Sequence, residues 1–354
     1  MDEGLYCVGD VEGEMKNTPS VGRGLGGGRF LNTWEDDMKR TGFVYDDRFL
    51  MHVTCEMHPE SPDRLRAIHK GLSQSGLLEK LIPIPVQRAS QRWIEAVHNI
   101  RYIMRFEEAC LAGFPEMDHQ DNSICRDTYE TAFLAVGGVL NAIDEMMKGN
   151  IDNAFCAVRP PGHHAEIDKA MGFCYFNNVA IGAKYLQKKW GIERVGIIDF
   201  DVHHGNGTQH IFEQDPTVFY YSIHEHPSFA YPGTGREFET GIGDGLGFTH
   251  NSPVLPGRGD DEYKKMIMQD LVPAFKRFQP EVVLVSAGFD AHECDLMSGT
   301  NLSTDGYDFI TEVILNLVDK FARGRVISVL EGGYHYDVLA LLVENHIKML
   351  AGIR

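Results

Sequence analysis

The segment at residues 198–207 constrains this chain most, because it packs two carboxylates and two imidazoles into six residues after an apolar run. The apolar residues at 194–200 predict a buried parallel strand. Alternate side chains at a strand end point the same way, so Asp201 and His203 project together with Asp199 behind them. One oxygen and one nitrogen ligand at that spacing suit a divalent metal ion such as zinc. The alternative, a solvated polar loop, is disfavoured because α/β enzymes place their ligands at strand ends.

Composition and charge limit the classes of function. The 354 residues allow either two domains or one large α/β domain. No apolar run approaches the roughly 18 residues that cross a membrane, and the N-terminus lacks the pattern of a secretory signal. A formal net charge of −18 argues against a nucleic-acid surface and favours cationic partners such as lysine-rich peptides or polyamines, although many soluble proteins are simply acidic. We therefore expect neither a nucleic-acid nor a membrane partner.

The cysteines indicate a reducing compartment. The seven cysteines are odd in number and scattered, and no two of them form a Cys-x-x-Cys pair. This pattern argues against a disulfide framework and against a zinc site built from thiolates. It predicts a cytoplasmic location, where thiols stay reduced.

The N-terminal residues differ from the rest of the chain. Residues 1–38 show little periodicity and contain a glycine-rich stretch at 24–28. They predict a Gly-rich N-terminal arm followed by a single catalytic domain over 39–354. The glycines do not form a nucleotide loop, because no strand precedes them and no Gly-Lys-Ser/Thr follows. Phe30 and Trp34 could dock the arm on the body or on a second subunit, which would make a homo-oligomer.

From about residue 42 onward, strand and helix patterns alternate. The predicted strands are residues 154–158, 194–200, 218–222, 282–287 and 326–330. The predicted helices are residues 62–78, 127–147, 178–189, 261–278, 304–321 and 337–350. Short strands separated by helices imply a mostly parallel sheet that is covered on both faces.

Four further loops that follow predicted strands also carry reactive groups. His163 and His164 form a pair suited to acid–base chemistry. Asp290 could supply a third metal ligand, and Tyr334 can donate a hydrogen bond to a developing oxyanion. The loop at 224–235 is typical of a rigid pocket wall. Each feature alone has a structural explanation, but their joint occurrence after strands favours a catalytic site.

Taken together, these motifs resemble those of the histone deacetylase family, which includes deacetylase-like amidohydrolases and acetylpolyamine amidohydrolases. The segments that carry the resemblance are 159–164 (Arg-Pro-Pro-Gly-His-His), 172–178 (Gly-Phe-Cys-Tyr-Phe-Asn-Asn), 199–207, 286–290 (Ser-Ala-Gly-Phe-Asp) and 331–334 (Glu-Gly-Gly-Tyr). Two N-terminal segments, at 41–45 and 58–65, resemble class II members. The resemblance covers about 42–352. It implies the arginase/deacetylase fold, an α/β fold with a central, mostly parallel eight-stranded sheet and helices on both faces.

The resemblance implies two metal sites. Asp201, His203 and Asp290 would bind one catalytic zinc ion and leave a position open for water and the substrate carbonyl. A structural monovalent-cation site, usually occupied by potassium in the family, would be formed by Asp199, Phe200, Asp201, His203, Ser222 and Ile223.

The resemblance also implies catalytic roles. His164 would be the general base that later protonates the leaving amine, and His163, oriented by Asp199, would add electrostatic support. Tyr334 would polarise the amide carbonyl and hold the oxyanion. Asn206 takes the position that orients His164, where class I members have an aspartate. A neutral amide cannot stabilise a protonated imidazole by charge, so this class II-like feature leaves the protonation balance of the two histidines open.

Other residues match the substrate tunnel of the family. Gly172, Phe173 and Tyr231 match positions that line the acyl-lysine tunnel, where facing aromatic rings grip an aliphatic stem. Asp121 matches a rim residue that accepts a hydrogen bond from the substrate backbone. Arg64 matches an arginine beneath the active site, near the route by which acetate leaves.

Three alternatives to a lysine deacylase are weighed. Arginase-type enzymes share the fold but use two manganese ions and a paired Asp-x-Asp, whereas this chain has Asp290-Ala-His292 and so only one complete metal site. An acetylpolyamine deacetylase would need an acidic gatekeeper, and here Met297 stands at the gate, although Glu293, Asp295 or the arm could contribute an acid. A non-catalytic acyl-lysine-binding module is disfavoured because every residue that the chemistry needs is present.

Overall fold

The fold was established from a computed structural model that describes residues 38–353. The strands of this part of the chain are β1 (Thr41–Val44), β2 (Ile82–Ile84), β3 (Glu116–Met117), β4 (His119–Ser123), β5 (Asn153–Cys156), β6 (Val195–Asp199), β7 (Val218–Glu225), β8 (Thr249–Val254), β9 (Val282–Ala287) and β10 (Val326–Leu330). Eight of them form one sheet in the order β2-β1-β5-β10-β9-β6-β7-β8. Every neighbouring pair in this sheet is parallel, and β3 and β4 form a separate antiparallel pair.

The helices pack in two groups. They are α1 (Asp63–Gln74), α2 (Gln91–Ile94), α3 (Ile100–Ala112), α4 (Thr128–Met147), α5 (Asn178–Trp190), α6 (Asn206–Phe212), α7 (Asp260–Met266), α8 (Val272–Phe278), α9 (Thr304–Phe321) and α10 (Tyr336–Leu350). Helices α2 to α6 contact one another, as do α1 and α7 to α10. The central strand β5 contacts α4 from one group and α10 from the other, so helices cover both faces of the sheet.

The interior strands explain why the sheet was predictable. Every residue of β5, β6, β9 and β10 is buried, which requires the continuous apolar runs that identified these strands in the sequence. The sequence did not indicate β1, β2 and β8. β1 (Thr-Gly-Phe-Val) has only two consecutive apolar residues, β2 has three residues with Pro83 at its centre, and β8 contains Pro253. β2 and β8 are the two edge strands, where a proline leaves no ladder hydrogen bond unmade.

Two predicted helices have different bounds in the structure. The helix predicted at 62–78 ends at Gln74, and Gly76 follows with a φ of 70°, the left-handed conformation that commonly terminates a helix. The helix predicted at 261–278 is divided by a π-helical turn at Ile267–Leu271. Pro273, the second residue of the following helix α8, lacks the N–H that would continue the regular α-helical pattern.

Two further predictions concern the ends and the surroundings of this domain. The predicted arm at 1–38 lies outside the described residues except for residue 38. Among residues 38–353, no helix has the length and apolar character needed to cross a membrane.

Candidate active site

The four central strands bring the predicted site residues together. These strands lie side by side in the order β5-β10-β9-β6. His163 and His164 follow β5, and Tyr334 follows β10. Asp290 follows β9, and Asp201 comes two residues after the end of β6. Because all four strands are parallel, their carboxyl ends meet at one edge of the sheet, which places residues that are distant in the sequence in one cluster.

The carboxylates of Asp201 and Asp290 converge on His203. Asp201 Oδ1 and Asp290 Oδ2 each lie 3.2 Å from Nδ1 of His203, and the three ligand atoms lie within 4.8 Å of one another. Ligand atoms around a tetrahedral zinc ion with bonds of about 2.0 Å are separated by about 3.3 Å. The donor set and its spacing therefore fit a zinc ion held by three protein ligands.

The charges of this cluster also favour a cation. Burial and the neighbouring charge of Asp201 raise the pKa of Asp290 to about 6. Burial alone would lower the pKa of His203, but the two carboxylates hold it well above its ordinary value. Two buried carboxylates that repel each other need a positive partner, which a divalent ion would supply.

The two histidines have different partners. Nδ1 of His163 lies 3.0 Å from Asp199 Oδ2, and Nδ1 of His164 lies 2.7 Å from Asn206 Oδ1. Burial lowers the pKa of both imidazoles, but the charges of Asp199 and Asp201 raise that of His163 to about 10. For His164, the positive charges of His163 and His203 add to the effect of burial, so its pKa lies well below its ordinary value. His164 is therefore the neutral member of the pair.

The loop that carries Tyr334 is held by buried groups. The N–H of Tyr334 donates to Asp295 Oδ2 at 2.6 Å, and the guanidinium of Arg64 donates to the carbonyl of Gly333 at 2.7 Å. The same guanidinium lies 5.0 Å from the centre of the Tyr334 ring. Burial, followed by the charge of Asp290, raises the pKa of Tyr334 well above its ordinary value, so the hydroxyl keeps its proton and can donate it in a hydrogen bond.

A narrow cavity of about 220 Å³ leads to these groups. Its lining includes all the residues predicted to contact substrate, which are Asp121, Gly172, Phe173, Tyr231 and Met297. The same cavity is lined deeper in by His163, His164, His203 and Tyr334. The ring of Tyr231 stands edge-on to His164 at a centroid distance of 5.0 Å, and that of Phe173 stands edge-on to Tyr334 at 6.1 Å. Phe173 and Tyr231 thus give the cavity aromatic walls, and its lining also includes the carboxylate of Asp121.

Two glycines permit close approach to this cavity. A Cβ atom on Gly172, whose φ is 53°, would lie 2.3 Å from the ring of His164. A Cβ atom on Gly332 would lie 2.1 Å from a carboxylate oxygen of Asp290. Neither position can accept a side chain without displacing a site residue.

A buried ion cluster contains Arg64, which was predicted to lie beneath the site, together with Glu60 and Arg159, whose pairing was not predicted. Arg159 forms a two-point ion pair with Glu60, and Arg64 donates to the same carboxylate at 3.2 Å. All three side chains have no exposed surface. Burial alone would raise the pKa of Glu60, but Arg159 and His52 hold it well below its ordinary value. This cluster ties the loop before His163 to helix α1.

The carboxylate of Glu331 forms a second unpredicted link. It accepts hydrogen bonds from the backbone N–H groups of Gly162, at 2.7 Å, and His163, at 3.1 Å, and from the hydroxyl of Ser286 at 3.0 Å. Burial raises the pKa of Glu331 to about 7. Its position in the Glu-Gly-Gly-Tyr motif was the only signal in the sequence that could have indicated this role.

The residues predicted to bind potassium lie along two paired strands. Asp199 at the end of β6 pairs with Ser222 in β7, and Ile223 follows Ser222 in the same strand. The hydroxyl of Ser222 lies 2.7 Å from Nδ1 of His224, which lies in β7 rather than in the loop predicted at 224–235. Phe200 and Asp201 continue from β6, and the N–H of His203, the remaining member of the predicted set, donates to Asp201 Oδ1 at 2.8 Å.

Comparisons with known proteins agree with the fold. A family described as "Histone deacetylase domain" matches residues 58–350. The chain is 37% identical over 300 residues to "Probable deacetylase" of Archaeoglobus fulgidus, which covers 84% of this chain and 82% of that protein. It is 37% identical over 329 residues to "Polyamine deacetylase HDAC10" of Mus musculus, covering 90% of this chain and 48% of the relative. The chain thus spans about half the length of this second relative.

A solved structure supports the same assignment. The crystal structure of the HDA15 HD domain is similar with a TM-score of 0.84 at 34% sequence identity, covering 89% of each chain. The predicted arginase/deacetylase fold is therefore confirmed, with a sheet that is entirely parallel. From its sequence matches and its structure, this chain belongs to the histone deacetylase family of hydrolases.

Proposed function

We propose that this protein is a zinc-dependent amide hydrolase that removes acetyl or other acyl groups from lysine side chains of proteins or peptides. The observation that carries the proposal is the convergence of three groups at the inner end of one aromatic cavity. These groups are the Asp201–His203–Asp290 cluster, the His163–His164 pair and the hydroxyl of Tyr334. Together they provide a metal site, a base and an oxyanion donor, which amide hydrolysis requires.

Each group of the site has a separate role in the proposed hydrolysis. A zinc ion held by Asp201, His203 and Asp290 would polarise the acyl carbonyl and acidify water when bound. Because Nδ1 of His164 is engaged by Asn206, its Nε2 is free to accept the proton of the attacking water and to return it to the leaving amine. The hydroxyl of Tyr334 donates a hydrogen bond to the carbonyl oxygen as negative charge develops there. The products are acetate and a free amine.

The remaining residues act around this step. His163, held by Asp199, contributes positive charge beside the reacting groups. Phe173 and Tyr231 exclude water and grip the aliphatic stem of the substrate. Asp121, which lies in the lining, would accept a hydrogen bond from the substrate backbone.

The cavity mouth favours acyl-lysine over acetylpolyamine. Met297, which lines the cavity, is apolar and cannot recognise a distant ammonium group. The nearby carboxylate of Asp295 is buried and already accepts from the N–H groups of Met297, Tyr334 and His335. It is therefore occupied within the protein and is not a gatekeeper for a cationic substrate. The similarity to a protein named polyamine deacetylase keeps an acetylpolyamine as the second candidate substrate.

Three accompanying proposals concern the environment of the enzyme. We propose that residues 39–354 form one catalytic domain and that residues 1–38 form an arm through which copies of the chain could associate. We propose that the Asp199–Ser222 region binds a structural potassium ion. We also propose a reducing, cytoplasmic location, which is supported by the six cysteines of the described residues, all of them free thiols.

The test is a kinetic comparison on zinc-loaded protein. Acetyl-lysine peptides are compared with acetylspermidine and acetylputrescine, before and after removal of the metal by a chelator. We expect a higher kcat/KM on the peptides, loss of activity on chelation and recovery with zinc. Tyr334→Phe should lower kcat by about a hundredfold or more, whereas the matched control Tyr336→Phe, whose hydroxyl contacts Ser61 outside the cavity, should not.

Other results of this kinetic comparison would contradict the proposed substrate or the proposed mechanism. Preference for the acetylated polyamines would make the second candidate correct. An unchanged rate in Tyr334→Phe, or full activity after metal removal, would overturn the proposed mechanism. Binding of acetylated peptides without turnover in the wild-type protein would indicate a non-catalytic recognition module.

A further inference from the structure

The side chain of Asn206 has a carboxylate behind it. Its amide nitrogen Nδ2 donates to Glu166 Oε1 at 2.5 Å, while its oxygen Oδ1 lies 2.7 Å from Nδ1 of His164. The side chain of Glu166 is 17% exposed, and Glu166 does not line the cavity. A row of His164, Asn206 and Glu166 therefore runs from the inner end of the cavity toward the surface.

This row fixes which nitrogen of His164 carries a proton. A carboxylate only accepts hydrogen bonds, so Glu166 must face the NH₂ group of Asn206 and never its oxygen. The oxygen of Asn206 must then face His164, where it can only accept, so Nδ1 of His164 is protonated. That tautomer leaves the lone pair on Nε2, the nitrogen that the proposed base needs. The carbonyl of His164, at 3.3 Å, and the sulfur of Met171, at 3.5 Å, are longer contacts of the same amide.

Glu166 is itself held firmly. Its carbonyl lies 2.8 Å from Nδ1 of the buried His98, and its N–H donates to the carbonyl of Lys169 at 2.9 Å. Its carboxylate oxygen also lies 2.7 Å from Nδ1 of His210, which is 40% exposed. The two backbone contacts hold the loop in position. The carboxylate is the only group of Glu166 that contacts Asn206.

We propose that Glu166 is a positioning residue that acts on His164 through Asn206, selecting the catalytic tautomer and supplying the negative charge that the neutral amide lacks. The inference rests on the proposed role of His164 as general base. The proposal explains why a neutral asparagine can stand next to the base. The negative charge lies on Glu166, behind Asn206, and acts on His164 through the polarised hydrogen bonds of the Asn206 amide. The competing explanation is that Glu166 only forms an ion pair with His210 and shapes the loop.

Reciprocal variants separate these two explanations. Glu166→Gln keeps the size of the side chain but removes its charge, and we expect kcat to fall about tenfold with KM unchanged. Asn206→Asp alone should also be impaired, because its new carboxylate faces that of Glu166. In the double variant, the glutamine can donate to the new carboxylate, so we expect kcat to recover to within a few-fold of wild type. Asp168→Asn, an exposed acid in the same loop, is the matched control and should have wild-type activity.

The tautomer of His164 gives a second readout that does not depend on turnover. Nitrogen-15 NMR of histidine-labelled protein, with His164→Asn used for assignment, should show Nδ1–H in the wild type and a mixture of tautomers in Glu166→Leu. Recovery in the double variant together with this tautomer change supports the inference. The inference would be overturned by an unchanged kcat in Glu166→Gln or by an unchanged tautomer in Glu166→Leu. It would also be overturned if the loss of kcat in the double variant equalled the product of the two single losses. If the wild-type protein hydrolyses no acyl substrate, the proposed function fails while the tautomer experiment still decides the role of Glu166.

Discussion

Two adjacent histidines, His163 and His164, share one loop, one cavity and nearly complete burial, yet their protonation states differ. The charges of Asp199 and Asp201 raise the pKa of His163 to about 10, overcoming burial. His164 contacts the neutral amide of Asn206, and its pKa lies well below the ordinary value. The charges around each ring thus decide which imidazole is charged, and the comparison explains how one pair can offer both a cation and a base.

The same contrast appears away from the cavity. His98 is buried between two backbone groups, the carbonyl of Glu166 and the N–H of Asn177. Burial lowers its pKa to about 4. At His98, as at His164, burial with neutral hydrogen-bond partners lowers the pKa of the imidazole, whereas the carboxylates around His163 raise its pKa.

The largest expected effect comes from removing each imidazole in turn. His164→Ala removes the proposed base and should lower kcat by about a thousandfold, within the usual range for general acid–base catalysis. His163→Ala removes only electrostatic support and should lower kcat by about ten- to a hundredfold. Single-turnover rates on an acetyl-lysine peptide measure both. Equal losses, or a larger loss in His163→Ala, would reverse the assignment of the two roles.

A smaller loss of kcat is expected when His163 is given an amide partner like that of His164. Asp199→Asn replaces the carboxylate behind His163 with an amide, so the pKa of His163 should fall and kcat should decrease by about tenfold or more. Tyr220→Phe is the control, because it removes another hydrogen bond to Asp199 but leaves the carboxylate in place. An Asp199→Asn variant with wild-type kcat would show that the charge of His163 has no part in the reaction.

The sequence predicted the interior of the fold better than its edges. Buried strands such as β9 and β10 need unbroken apolar runs, which are visible locally. The edge strands β2 and β8 tolerate proline and polar residues because only one neighbour pairs with them. Their place in the sheet depends on the strand beside them, and no local pattern carries that information.

Prediction of the site residues from the sequence had a similar limit. Residues that directly follow the interior strands, including Asp201 and Tyr334, were identified because strand ends mark their positions. Asp199 and Asn206, which contact the two histidines, were named through the family resemblance. Other supporting contacts were missed, since they join distant parts of the chain. Asp295 supports Tyr334 from 39 residues away, and Arg159 meets Glu60 across 99 residues. Sequence reasoning also assigned no charge behind Asn206, because the contact with Glu166 exists only in the folded chain.

The smallest expected effect concerns stability and tests whether neutral partners alone keep an imidazole neutral. The pKa of His98 is about 4 in the folded protein and about 6.5 in an unfolded chain. Between these values the unfolded chain binds more protons, so the free energy of unfolding falls as the pH falls through this window. Acidification from pH 7 to pH 5 should therefore remove about 2 kcal/mol of stability through His98.

His98→Gln removes the titrating group while its amide can still donate to the carbonyl of Glu166 and accept from the N–H of Asn177. We expect the variant to be less stable than wild type at pH 7 but to lose less stability on acidification to pH 5. Urea unfolding at the two pH values measures both quantities, with the exposed His119→Gln as control. Parallel losses in wild type and His98→Gln would mean that the pKa of His98 is the same in the folded and unfolded chains, and the contrast between carboxylate and neutral partners would then fail outside the cavity.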